Sequence, residues 1–256
     1  MTMTTKRIPY GISDFRLIST ENYYYVDKTR FIEEVERSPR FLFLIRPRRF
    51  GKSLWLATLS NYYDVATRDD FDKLFGQYYI GQHPTEERNS YLMLTFNFAM
   101  VNPDPDALNE SFEEHASICF ERFNMKYGHL LGEGYLEGYA QRPNAESKLE
   151  YIALRCERVG LPIYLVIDEY DNFTNVVLSR HGAGFFRFFF NKIKGVTTGN
   201  SAAVKRMFIT GVSPVTLDDV TSGFNIASMV TMNPRFNEVL GFTEGEVREM
   251  LEYYKG

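Results

Sequence analysis

An α/β fold with a mainly parallel β-sheet is the fold class that the sequence predicts. The first observation is that apolar, β-rich segments alternate along the chain with segments of helical character, which is typical of βαβ units with helices on both faces of the sheet. The second is the continuous apolar run Ile163–Ile167, which suits a strand buried on both faces. The third is a strand–loop–helix pattern over residues 41–63.

The predicted strands and helices alternate through most of the chain. Strands are expected at about residues 40–45, 91–98, 163–168, 204–210 and 226–231. Helices are expected at about residues 27–37, 51–66, 105–127, 145–159, 183–194 and 243–254. Asn144 precedes one of these helices, and the capping-box sequence Thr243-Glu-Gly-Glu246 begins the last. The glycine-containing stretch 128–144 is expected to be an irregular connection.

The composition excludes several classes of protein. The 256 residues are 44% apolar and 24% charged, the balance of a globular protein that can bury a sizeable core. A net charge of −4 gives no overall attraction to nucleic acid. No apolar run approaches the roughly 20 residues of a membrane-spanning helix, and the polar start at residues 1–6 does not resemble a signal peptide. A cytoplasmic protein is therefore expected, with Cys119 and Cys156 as reduced, partly buried thiols.

The loop after the first predicted strand matches most of a Walker A phosphate-binding loop. The sequence Arg46-Pro-Arg-Arg-Phe-Gly-Lys-Ser53 leads directly into a helix, where backbone N–H groups and the helix dipole favour a bound phosphate. Lys52 would reach the β- and γ-phosphates of a nucleoside triphosphate, and Ser53 would bind Mg²⁺. Arg46 stands where the usual pattern has glycine, so the alternative is a basic surface turn before an ordinary helix. The predicted nucleotide-binding residues are Arg46, Pro47, Arg48, Arg49, Phe50, Gly51, Lys52, Ser53 and Leu54.

A second acidic motif follows the third predicted strand. The apolar run Ile163–Ile167 leads straight into Asp168 and Glu169, which is the Walker B pattern. Asp168 would hold the Mg²⁺ ion, and Glu169 would activate the water that attacks the γ-phosphate. Ligands bind at the carboxyl ends of strands in open parallel sheets, so the two motifs are expected at one edge. The alternative is a buried strand that ends in two solvated acids.

Residues near the ends of the last two predicted strands are further candidates. Thr210, or as the second choice Ser213, would help to orient the attacking water; the alternative is that Thr210 only ends the strand at a turn. Arg235 follows the fifth strand and would act as an arginine finger toward a neighbouring subunit, or else form a surface salt bridge. The cations between residues 46 and 52 suit a triphosphate, although a basic patch can also contact nucleic acid.

Several separated motifs together resemble the AAA-ATPase-like family of bacterial P-loop ATPases. They are Ile8-Pro-Tyr-Gly-Ile12, Tyr25-Val-Asp-Lys28, the loop 46–53, Phe208-Ile-Thr-Gly-Val-Ser-Pro-Val215, Asn225-Ile-Ala227 and Asn233-Pro-Arg-Phe236. The resemblance implies a P-loop NTPase fold: a three-layer α/β/α sandwich of the additional-strand type, with sheet order 5-1-4-3-2. It implies ATP and Mg²⁺ as ligands, gives Lys52, Ser53, Asp168 and Glu169 the roles above, and tolerates arginine at position 46.

The same resemblance implies how the chain is organised. Residues 39–242 would form the nucleotide-binding core, after an N-terminal extension with a helix at residues 1–38. Residues 243–256 would begin a C-terminal lid. Family members are often fused to a PD-(D/E)xK-type nuclease, for which this chain is too short. The expected activity is ATP hydrolysis, slow or dependent on assembly into a homo-oligomer. The alternatives are a nucleotide-gated binding module without hydrolysis and the motor of a nucleic-acid-processing protein.

Overall fold

A five-stranded parallel sheet forms the centre of the fold. The computed structural model describes residues 5–172, 184–197, 202–213 and 227–255, with residues 184–190 described by their backbone. The strands are β1 (Phe41–Ile45), β2 (Leu92–Asn97), β3 (Ile163–Asp168), β4 (Val204–Gly211) and β5 (Ser228–Met229). Their order is β2-β3-β4-β1-β5, and all pairs are parallel. This confirms the predicted α/β class and the predicted order 5-1-4-3-2, which is the same order counted from the other edge.

The helices precede, connect and follow the strands. They are α1 (Phe15–Thr20), α2 (Phe31–Arg37), α3 (Lys52–Tyr63), α4 (Phe71–Phe75), α5 (Tyr79–Gln82), α6 (Leu108–Tyr127), α7 (Tyr135–Ala140), α8 (Ala145–Val159), α9 (Gly184–Thr197) and α10 (Glu244–Lys255). Within the described ranges, no helix has the length and apolar character needed to cross a membrane. The prediction of an irregular connection over residues 128–144 is wrong at Tyr135–Ala140, where α7 forms. Residues 183 and 226, at the start of a predicted helix and strand, lie outside the described part of the chain.

Residues of β1 to β4 face two separate hydrophobic clusters, one on each side of the sheet. On β1, Leu42 and Leu44 belong to a cluster with residues of α1–α5, whereas the intervening Phe43 belongs to a cluster with residues of α6–α9. Cys119 and Cys156 lie in the second cluster with free thiols. Because both faces are covered, the strand residues are apolar without alternation, which explains the continuous runs in the sequence.

The last helix is fixed to the N-terminal segment. Lys28 Nζ lies 2.5 Å from Glu246 Oε1, and the Tyr254 hydroxyl donates to the Lys6 carbonyl at 2.8 Å. The predicted capping box is present, because Glu246 Oε2 accepts from Thr243 N at 2.7 Å and Thr243 Oγ1 accepts from Glu246 N at 3.2 Å. Burial alone would raise the pKa of Glu246, but the bonds from Lys28 and Thr243 lower it. The N-terminal segment and α10 therefore meet through a partly buried ion pair and an exposed hydrogen bond.

The start of α8 gives a test of a sequence-predicted cap. Asn144 Oδ1 accepts from Ser147 N at 3.0 Å, and Asn144 N donates to Ser147 Oγ at 3.4 Å. Asn144→Ala removes the first of these bonds and should lower the free energy of unfolding by about 1 kcal/mol, measured by urea denaturation. Asn144→Asp keeps a capping oxygen and should cost little. Equal stability of the alanine variant and the wild type would show that the cap contributes nothing.

Candidate functional site

The loop between β1 and α3 presents a helix N-terminus at the carboxyl edge of the sheet. Gly51 precedes the helix in the left-handed region, at φ 88° and ψ 18°, a conformation that glycine adopts without steric cost. Glycine has no side chain to cap the first-turn N–H groups, which have no acceptor within the helix. These donors and the helix dipole make the first turn of α3 suited to an anion.

Arg46 fixes the beginning of the loop through its side chain. Its guanidinium donates to the carbonyl oxygens of Ile45 and Thr231, both at 2.9 Å, and of Phe236 at 3.1 Å. The backbone of Arg46 is outside the positive-φ region, which the loop enters at Arg49 and Gly51. An arginine can therefore stand at this position without backbone strain, which accounts physically for the departure from the glycine of the usual pattern.

Lys52 is buried at the base of the loop. Its Nζ donates to the carbonyl oxygens of Arg46 at 3.1 Å and Pro47 at 3.2 Å, and it lies 3.8 Å from Glu169 Oε1. Only 4% of the Lys52 side chain is exposed. The ammonium group is thus held under the loop and next to the acid that follows β3.

Asp168 joins the loop helix to β4. Its Oδ2 accepts from Ser53 Oγ at 2.7 Å, and its Oδ1 accepts from Thr210 Oγ1 at 2.5 Å. The parallel pairing of β3 with β4 and of β4 with β1 places these strand ends side by side. The sequence prediction that the two motifs share one edge, with Thr210 beside them, therefore agrees with the geometry.

Glu169 occupies a constrained position at the end of β3. Its backbone lies in the left-handed region at φ 53°, which is uncommon for a residue with a Cβ and is concentrated at functional sites. Burial raises the pKa of the Glu169 carboxyl, while Lys52 opposes this effect and Asp168 adds to it. The side chain is 26% exposed, so the carboxylate has access to solvent beside Lys52.

The remaining loop residues are distributed between solvent and core. Pro47, Arg48 and Arg49 are exposed, so two of the three loop arginines have their side chains at the surface. Phe50 is 42% exposed, and its carbonyl accepts from Gly241 N at 3.0 Å. Leu54 packs partly buried against the cluster shared with α1–α5. Their contribution to nucleotide binding stays a prediction.

Comparison with known proteins assigns the chain to a family. Residues 9–221 match the family model described as a predicted AAA-ATPase. The chain belongs to the AAA-ATPase-like family. A protein of Azotobacter chroococcum mcd 1, described as an uncharacterized protein in the vnfD 5′ region, is 26% identical over 261 residues. The alignment covers 96% of this chain and 45% of that protein, so the chain spans less than half of this relative's length. No solved structure matches the chain significantly.

In this AAA-ATPase-like chain, Arg235 lies on the surface next to α2. Its side chain is 68% exposed, and its guanidinium lies 3.9 Å from Glu34 Oε2. This contact corresponds to the surface salt bridge that the sequence offered as an alternative to an arginine finger. Action on a neighbouring subunit stays a prediction for Arg235.

Sequence reasoning missed part of the support of the site in this AAA-ATPase-like chain. Gly211 ends β4, and a Cβ there would lie 2.3 Å from the Tyr170 ring. The carbonyls of Thr231 and Phe236, which hold Arg46, come from backbone and give no signal in side-chain patterns. Gly211 is visible in the sequence, but the need for glycine there comes from its contact with Tyr170, which follows the neighbouring strand.

Proposed function

We propose that this chain binds Mg·ATP at residues 46–54 and hydrolyses it to ADP and phosphate. The observation that carries the proposal is the 2.7 Å hydrogen bond between Ser53 Oγ and Asp168 Oδ2, which joins two motifs 115 residues apart. Chance matches to two short motifs would have no reason to meet at one sheet edge. Membership of a family of predicted ATPases is consistent with this assignment.

The residues present fit a magnesium ion and a triphosphate. A hydroxyl and a carboxylate at hydrogen-bond distance are the oxygen ligands that Mg²⁺ prefers, so Ser53 and Asp168 would hold the ion. When bound, Mg²⁺ would neutralise developing phosphate charge. Lys52 would exchange its two neutral carbonyl acceptors for phosphate oxygens, because the negative charge of the phosphate adds an ion-pair attraction to the hydrogen bond. The first turn of α3 would supply N–H donors.

Two side chains beside Asp168 have proposed roles in hydrolysis. Glu169 would accept a proton from the attacking water, since its carboxylate is partly exposed and lies 3.8 Å from Lys52 Nζ. Thr210 would hold Asp168 in place and help to orient the water. We further propose the three-layer P-loop NTPase arrangement of the additional-strand type, which the strand order and the two-sided core support.

Calorimetry of Mg·ATP binding tests the proposal. Lys52→Ala should raise the Kd for Mg·ATP about tenfold to a hundredfold, because it removes a charge-assisted bond to phosphate. Lys73→Ala is the matched control, since Lys73 is an exposed lysine on α4, and it should bind as the wild type does. GTP as competitor reports the preference for the base. Undetectable binding by the wild type, or equal binding by Lys52→Ala, would refute the assignment of the loop.

A further inference from the structure

Three consecutive residues after Glu169 attach the turn at the end of β3 to its neighbours. Tyr170 is fully buried, its ring packs edge-on against Phe43 at 4.5 Å between centroids, and its hydroxyl donates to the Ser213 carbonyl at 2.8 Å. Its backbone N–H donates to the Thr210 carbonyl at 3.1 Å. The turn is therefore tied to both the end of β4 and the residues that follow.

Asp171 binds the backbone directly after β4. Its carboxylate accepts from Val212 N at 3.1 and 3.2 Å and from Ser213 N at 2.5 Å. These amides follow Thr210 and Gly211. Hydrogen bonds that a charged acceptor makes to backbone N–H groups are among the stronger ones in proteins, so Asp171 fixes the end of β4 relative to β3.

Asn172 makes the corresponding contacts on the other side. Its Nδ2 donates to the carbonyls of Phe98 at 2.9 Å and Val101 at 3.1 Å, which follow β2. Its backbone N–H donates to the Glu169 carbonyl at 3.1 Å. The turn that contains Glu169 is thus bound to the ends of β2 and β4 at once.

We infer that Asp171 is a positioning residue that holds Glu169 in place for hydrolysis by tying its turn to the end of β4; this rests on the proposed function. A non-glycine residue in the left-handed region persists only where its surroundings determine its conformation. The contacts of residues 170–172 are such surroundings. Without the Asp171 carboxylate, the turn and the end of β4 lose a direct connection, and the Glu169 carboxylate shifts while the phosphate loop stays as it was.

Kinetics of Asp171→Ala separate positioning from nucleotide binding. The expected result is a kcat about tenfold to a hundredfold below that of the wild type, in line with small misplacements of catalytic groups, with the Kd for Mg·ATP within about twofold. Asp171→Asn, which keeps one acceptor oxygen, should recover part of the rate. In a Glu169→Gln background, Asp171→Ala should cause little further loss under single-turnover conditions. An equal loss in both backgrounds, or an unchanged kcat in the single variant, would overturn the inference.

Hydrogen exchange provides a measurement that does not depend on turnover. In Asp171→Ala, the amides of Val212, Ser213 and Tyr170 should exchange at least about tenfold faster, because local opening then costs less free energy, whereas peptides of α8 should be unchanged. Asp14→Ala is the matched control, because Asp14 also accepts from a backbone N–H, that of Leu17, and should leave exchange at 168–172 and 210–213 unaltered. If the wild type binds ATP without hydrolysing it, the proposed hydrolysis fails, and exchange still decides whether Asp171 holds the turn: unchanged protection would overturn the inference.

Discussion

Glu169→Gln should retain Mg·ATP binding within about twofold and lower kcat by about 10²–10⁴-fold, the usual contribution of a general base. Glutamine has nearly the same shape as glutamate but cannot accept the proton of the attacking water. The Lys52 contacts with the loop carbonyls involve other atoms, so the phosphate site should persist. Phosphate release measures turnover, and calorimetry measures binding on the same preparation.

The control for this variant is Glu137→Gln, which changes an exposed glutamate of α7 and should leave both quantities unaltered. Unchanged phosphate release by Glu169→Gln would show that the catalytic assignment is wrong. A wild type that binds Mg·ATP and releases no phosphate would instead support a nucleotide-gated binding module. Stimulation of turnover by added DNA or RNA would favour a motor for nucleic-acid processing.

The strands were predictable because their burial leaves a strong signal in the sequence. Ile163–Ile167 is apolar at every position because both faces of β3 are covered, and strand ends could be placed within one or two residues. The order of strands came from the family resemblance. Pairing across the sheet depends on contacts between distant segments, which composition and periodicity do not encode.

The short helices were not predictable in the same way. α1, α4, α5 and α7 have four to six residues, which is too few for a helical period to emerge from neighbouring turns. Phe71 and Phe75 form stacked rings within α4 and belong to the core, so tertiary packing determines these segments. The same limit applies to the site, where the motifs identified Lys52 and Asp168 but not the backbone carbonyls that hold Arg46 or the close contact of Gly211 with Tyr170.

A buried arginine at the opposite end of β4 shows what sequence patterns conceal. Arg206 is 6% exposed. Its guanidinium binds Glu87 through two bonds of 2.5 and 2.6 Å and donates to the carbonyls of Val35 and Glu36 at 3.2 Å. Burial would lower the pKa of Arg206, but the bonds to Glu87 raise it. The sequence shows a charged residue within a mostly apolar strand, but it does not reveal the partners of that charge.

Arg206→Met should lower the free energy of unfolding by about 3 kcal/mol at pH 7, because it leaves the partly buried Glu87 carboxylate without its cation. Urea denaturation measures this loss. Arg16→Met is the matched control: Arg16 and Asp70 also lie 2.6 Å apart, but about two fifths of each side chain is exposed, so the cost should stay below about 1 kcal/mol. Mg·ATP affinity of folded Arg206→Met should be unchanged, since Arg206 pairs with Tyr164 at the amino ends of the strands.

The pH dependence and a double variant identify the cause of the loss. Burial would raise the pKa of Glu87, but the bonds from Arg206 and Tyr91 lower it below the usual value of a glutamate carboxyl. The ion pair therefore stabilises the wild type when the pH lies above the pKa of an unfolded glutamate, and this contribution disappears as the pH falls through the lowered pKa. The deficit of Arg206→Met should shrink over that range. Combining it with Glu87→Met should recover part of the stability, because no unpaired charge remains; a double variant less stable than Arg206→Met would contradict this account.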